Sequence, residues 1–257
     1  MKKELKRKQP NLTLVNKKME LTYSFRRRMI NEEKHLLKDI MEQYPFLFKK
    51  AHLKSEYSRL MADSSAADCI QGNLLEVSPN IIRVAEQRKF VSEEANKLLL
   101  LCKPTNDSSC NDDEENENIL SAENKTFVAM CLLPHLLERK TKTNKSPESY
   151  FYLFGEAEEV AMAARPGMAP FLVISGSVDD PHPDDITVVA ENHIVTRSAG
   201  ILDALESMLI LYYVCNIQYP KECVNTFHFL QRNIMKVFDT QKVPTKVLVL
   251  MSELSQL

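Results

Sequence analysis

Basic residues crowd the start of this chain. Lys2, Lys3, Lys6, Arg7, Lys8, Lys17, Lys18, Arg26, Arg27 and Arg28 stand against Glu4 and Glu20 in the first 28 positions, a local charge of +8 in a chain whose formal total is −2. Clusters such as Lys2-Lys3, Lys6-Arg7-Lys8 and Arg26-Arg27-Arg28 are of the kind that import receptors read or that phosphate attracts. Nucleic-acid binding through this arm is one expectation, and a solvated tail is the plainer alternative. Tyr23 and Phe25 are its only rings, too few to interleave with bases.

Other residue groups carry weaker chemistry. Cys131 and His135 lie four apart, the spacing at which a helix presents two metal ligands on one face, and Cys215, Cys223 and His228 are further candidates. Pro134 disturbs that helix, and a cysteine in an apolar stretch is usually a small buried hydrophobe, so no metal site is expected. Asp179, Asp180, Asp184 and Asp185 surround His182, but Pro181 and Pro183 break any EF-hand pattern, and a solvated acidic turn is expected. Ser175-Gly176-Ser177 lacks a GxSxG elbow, and no Walker loop, GxGxxG or HExxH is present. Five glycines in 257 residues leave little material for a phosphate cradle. Neither catalytic residues nor a cofactor is expected.

The elements that would position these groups are mostly helical. An arm over 1–25 is expected to be disordered and basic. A helical region over 26–102 follows, with a helix from Arg26 to Tyr44 stopped by Pro45, and a second one carrying Leu53, Tyr57, Leu60 and Met61. Asp63 to Gly72 reads as a loop. Ser78-Pro79 then reads as a helix start, with Ser92 as an alternative restart. Residues 103–122 read as an acidic linker, since Asp107, Asp112, Asp113, Glu114, Glu115 and Glu117 face no basic partner and few apolar anchors.

A helical domain over 123–257 completes the chain. Phe127 to Leu137 is expected to be a helix interrupted at Pro134, with a buried strand as the alternative since short apolar runs do not declare their period, and 139–149 a basic loop. A small β element near 170–196 combines a strand at Phe171–Ile174 with a hairpin of 186–189 and 193–196 around Glu191-Asn192. Three helices end the chain: one capped by Ser198 and carrying Leu205, Met208 and Tyr212, one with Phe227, Ile234 and Phe238, and one after Pro244. The fold class is therefore mainly α (α+β), in helical bundle-like halves.

The six cysteines form no CxxC pair and are expected to be reduced. No apolar run reaches 18 residues, and the basic start lacks a signal peptide's apolar stretch, so no membrane partner is expected and the protein should reside in nucleus or cytoplasm.

The stretch Ile201-Leu202-Asp203-Ala204-Leu205, then 212–220 and Phe227-His228-Phe229-Leu230-Gln231, resembles the C-terminal region of the sterile alpha motif domain-containing protein 3-like family. Tyr44-Pro45-Phe46-Leu47, Glu56 and Arg59-Leu60-Met61 resemble its central region. The likeness extends loosely over 26–240 and is specific over 200–232. Nothing before residue 26 is long enough for the sterile alpha motif bundle itself, so that bundle's oligomerising role is not carried over. The resemblance brings no activity with it.

These readings point to a non-catalytic interaction or scaffold protein with an unspecified protein partner, acting through apolar helix faces. Two alternatives stay open: a nucleic-acid-associated nuclear protein using the basic arm, and a hydrolase using Ser177 or His182 in the 175–196 loops.

Overall fold

The computed structural model describes residues 4, 6–32, 36–88, 90, 92–103, 121–139, 146–165 and 167–257. Most of the acidic linker, Lys2 and Lys3 lie outside these residues. The fold is mainly helical with one small mixed sheet.

The N-terminal layer begins earlier than the charge pattern suggests. Helix α1 (Leu12–Leu21) starts at Asn11, whose Oδ1 accepts from the Leu14 amide at 3.0 Å, and buries Val15 and Met19. Helix α2 (Tyr23–Glu32) follows, with Met29 and Ile30 buried. The stretch expected to be disordered up to residue 25 is thus helical from Leu12. Two apolar residues at i and i+4 and a side-chain cap outweigh the charge density around them.

The helix expected over Arg26–Tyr44 is two helices. Leu36 is extended, and α3 (Leu37–Gln43) begins after it. The carboxylate of Glu191, 154 positions away, accepts from the Leu37 amide at 2.9 Å and the Lys38 amide at 3.3 Å. A remote side chain therefore supplies the N-terminal cap that the local sequence lacks.

Helix α4 (Lys50–Met61) carries the expected buried Leu53 and Tyr57. Helix α5 (Cys69–Gln87) starts inside the expected loop and continues through Pro79. Ser78 caps nothing; its hydroxyl donates back to Leu74 O at 2.5 Å. Helix α6 (Glu93–Leu100) does start at Ser92, whose Oγ accepts from the Ala95 amide. Helix α7 (Ala122–Leu137) opens on Ser121 and runs unbroken through Pro134. Eleven of its sixteen residues are buried, so packing on all sides offsets the hydrogen bond that proline forfeits.

The sheet comprises β1 (Tyr152–Phe154), β2 (Phe171–Gly176), β3 (Pro181–Ala190) and β4 (His193–Ser198), in that spatial order. β1 runs parallel to β2, while β2, β3 and β4 are antiparallel. Side chains alternate across β2: Leu172 and Ile174 join the main core, while Phe171 and Val173 meet helix α8 (Ala157–Ala163) on the opposite face. Burial on both faces explains the unbroken apolar run at 171–174. β3 reaches back to Pro181, so half of the expected acidic turn is strand. Gly176 takes φ +89°, and a Cβ there would lie 2.3 Å from Asp180 O, so the turn into β3 requires glycine.

Helix α9 (Ile201–Val214) begins after Gly200 rather than at Ser198, which ends β4. It lies between the sheet and α4, α5 and α7, and nearly every residue on it is buried. Helix α10 (Val224–Phe229) passes into a π-helical turn at Leu230–Ile234 and stops there, so Phe238 is exposed rather than core. Phe227 is fully buried, with ring centroids 4.7 Å from Tyr212, 4.9 Å from Tyr219 and 5.6 Å from Phe151. Helix α11 (Thr245–Leu254) closes the chain with Val247 and Leu250 inward. One apolar core runs from Val15 to Leu250. Among the described residues no helix is long and apolar enough to cross a membrane.

Candidate functional site

The basic residues do not form one patch. Lys6, Arg7 and Lys8 are exposed, and Arg7 pairs with Glu4 at 2.9 Å. Successive helix positions turn by about 100°, and Arg26, Arg27 and Arg28 accordingly point three ways. Arg28 is exposed and stacks over Phe25 at 5.5 Å. Arg27 is half-buried; its Nη1 donates to Val214 O at 2.5 Å and its Nη2 to Asn31 Oδ1 at 3.0 Å.

Arg26 is wholly buried. Its Nε and Nη2 donate to the two oxygens of Glu56 at 3.0 and 2.5 Å, and its Nη1 donates to Met19 O and Thr22 Oγ1. This arginine, grouped by sequence with the import or phosphate-binding residues, instead ties α2 to α4 and reaches no solvent.

Arg27 and Asn31 do contribute to a cavity of about 880 Å³, completed by Tyr213, Tyr219, His228 and Gln231 among others. The left-handed conformation of Asn216, φ 50°, turns the chain out of α9 and brings Tyr219 back over it. The Tyr219 hydroxyl lies 3.3 Å from that of Tyr213 and 3.2 Å from Gln231 Oε1. Gln231 Nε2 donates to Asp239, which also pairs with Arg232 at 2.7 Å. Burial lowers the His228 pKa, keeping the imidazole neutral near pH 7. Arg27 Nε and His228 Nδ1 are buried without a partner among the described residues. Aromatic faces, an arginine and amides thus surround one concavity.

A second cavity, of about 570 Å³, opens between α6, the 3-10 helix Pro147–Tyr150 and β1. Tyr152 is buried at its floor; its hydroxyl donates to Glu94 Oε1 at 2.9 Å and lies 3.1 Å from His135 Nε2. Burial raises the Glu94 pKa, with the charge of Glu148 adding to the effect and the tyrosine hydroxyl opposing it. Burial also drives the Tyr152 pKa far above the phenol range, so it stays a neutral donor. Ligand atoms of Glu94, His135 and Glu148 lie within 4.8 Å of one another.

The remaining candidates stay apart. Cys131 shares α7 with His135 but is sealed in the core, its thiol pKa raised by burial. Cys215, Cys223 and His228 do not join His135 in a ligand group among the described residues. Ser175 donates to Asp185 at 2.7 Å, and Ser177 Oγ accepts from the Asp180 amide. No hydrogen bond links Ser177 to His182 among the described residues. Glu94, Glu148 and Tyr152 had no signal in the sequence. Glu148 and Tyr152 sit in adjoining elements, but Glu94 is 58 positions before Tyr152, and only His135 of the cluster stood out there.

No curated protein and no solved structure matches the chain. The likeness to the sterile alpha motif family, expected to be strongest over 200–232, is found at the other end. Residues 212–231 of the expected stretch instead help to line the 880 Å³ cavity that Arg27 and Asn31 also line. The matched segment holds α1, α2, α3 and the Tyr44–Phe48 turn: residues 1–49 are similar to the family described as Sterile alpha motif domain-containing protein 3, helical domain.

Proposed function

We propose that this chain is a non-catalytic interaction protein that receives a carboxylate-bearing peptide segment of a partner in the cavity around Arg27, Tyr213, Tyr219 and His228. The carrying observation is that cavity, lined by the side-chain types that dominate protein interfaces and joining the N-terminal helices to the end of α9. Of the apolar faces that the sequence offered to a partner, Leu205, Met208, Tyr212, Phe227 and Ile234 are buried in the core, whereas Phe238 is exposed. Among the described residues Arg27 Nε and His228 Nδ1 have no hydrogen-bond partner, so both side chains gain from rearranging around an incoming acceptor.

The test is selection of binders from a random displayed peptide library on the full chain. Enriched peptides should carry Asp or Glu, and Arg27→Gln should weaken them at least about tenfold, or about 1.4 kcal/mol. Peptides that bind the variant as well as the parent would end this reading.

A second reading, nucleic-acid association and nuclear entry, draws on the exposure of Lys6, Arg7, Lys8 and Arg28. Binding to DNA or RNA that weakens steeply with salt would favour it over the peptide reading.

A further inference from the structure

The inward-facing carboxylates of this fold are nearly all matched. Glu56 has Arg26 and Arg59. Glu206 has Lys54 at 2.8 Å and Gln71. Glu138 accepts from the Thr226 amide, the Thr226 hydroxyl and Asn225. Glu191 accepts two backbone amides. The Glu94–Glu148 pair is different. Among the described residues, Glu94 accepts the Tyr152 hydroxyl, and no lysine or arginine forms an ion pair with either carboxylate. Lys97 lines the same cavity but is committed to Asp179 at 2.9 Å and Glu93 at 3.5 Å. Two carboxylates that line the cavity thus lie within 4.8 Å of each other and of the His135 imidazole behind Tyr152, with no lysine or arginine paired to them among the described residues.

We propose that Glu94, His135 and Glu148 form a binding site for a first-row divalent cation of the zinc class. The donor set favours this class. An imidazole nitrogen with two carboxylate oxygens suits Zn²⁺, whereas Ca²⁺ collects six to eight oxygens and Mg²⁺ seldom takes an imidazole. Around zinc, neighbouring ligand atoms stand on the order of 3.4 Å apart, given bonds of about 2.0–2.2 Å. With every ligand atom within 4.8 Å of the others, the three side chains need to close by at most roughly 1.4 Å, a movement within reach of side-chain rotation. Tyr152 can keep Glu94 Oε1 as its acceptor while Glu94 Oε2 faces the cation, an outer hydrogen bond that holds a ligating carboxylate in place. Two carboxylates cancel the charge of the ion, and any proton on the ligating nitrogen leaves to solvent. The cavity leaves a fourth position for water. The ion would cross-link α6, α7 and the 3-10 helix before β1.

Titration of the full-length reduced chain with Co²⁺, followed by Zn²⁺ displacement, tests the site. The expected result is one equivalent of visible d–d absorption without thiolate-to-cobalt charge transfer, which separates this site from the exposed Cys69. Glu148→Gln should weaken binding at least about tenfold, and Glu158→Gln, exposed on α8 and outside this cavity, should bind as the parent does. Glu94→Gln replaces Glu148→Gln if circular dichroism shows the latter misfolded. Parent-like affinity in the carboxylate variant, a thiolate band, or no saturable binding would each overturn the proposal.

Discussion

Arg26–Glu56 and Glu94–Tyr152–His135 are both inward-facing polar contacts between elements distant in sequence, yet they are completed differently. At the first, a guanidinium and a carboxylate meet through two parallel hydrogen bonds, and the third nitrogen is served by Met19 O and Thr22. At the second, one neutral hydroxyl serves a carboxylate that has a second carboxylate nearby. The first closes on itself and fixes α2 against α4; the second keeps capacity for something further. A polar cluster whose partners are all internal reads as architecture, and one whose charges are not matched reads as a site.

The largest effect should fall on the closed contact. Glu56→Ala strands the Arg26 guanidinium without its counter-ion, and breaking such a buried pair costs about 3–5 kcal/mol. A urea melt of the variant should show most of that loss. A loss no greater than that of an exposed Glu158→Ala control would mean that α2 shifts to let water in, and the contrast would collapse.

Tyr152→Phe probes the open contact. It removes the one described donor to Glu94, and a polar group left unsatisfied costs about 1–3 kcal/mol. The loss should be smaller than for Glu56→Ala, because the cavity lets water reach the carboxylate. Equal losses in the two urea melts would put both contacts in one class.

Glu138 lies between these cases and should show the smallest effect, as a slope. Burial raises its pKa, although the Thr226 amide and the Asn225 and Thr226 side chains pull it down. The folded chain therefore holds this proton more tightly than the unfolded chain. The resulting stabilisation is complete below the ordinary carboxylate pKa and is lost as pH rises through the folded value. Relative to Glu138→Gln, the parent should lose melting temperature as pH rises above the ordinary carboxylate value of about 4.3. A gap that widens in the parent's favour over that range would show that the hydrogen bonds outweigh burial.

Much of the architecture is legible in the residues. Apolar spacing exposes α4 and α9, Ser92 marks a true helix start, and the β-branched runs at 171–174 and 186–196 pair as their composition suggests. What escapes is whatever depends on distant neighbours. Pro79 and Pro134 look like boundaries, but surrounding core holds both helices together. β1 is three residues long and exists by pairing with β2. α1 hides two core residues among lysines. The sites divide likewise. Three consecutive arginines read as one patch in a string of letters, but helix geometry sends one into the core. Glu94, Glu148 and Tyr152 are ordinary residues until the fold brings them to His135.

The cap that Glu191 places on α3 has a consequence for the order in which the chain acquires structure. During synthesis α3 emerges with its first amides bonded only to water, and the side chain that takes them over is 154 residues behind. Contacts of such sequence separation pay a loop-closure cost before they return anything, and they slow folding. Arg27, donating to Val214 O across 187 residues, repeats the arrangement. Helices α2 and α3, synthesised before the β3–β4 hairpin and α9, are therefore expected to settle late, on a surface that those later elements build.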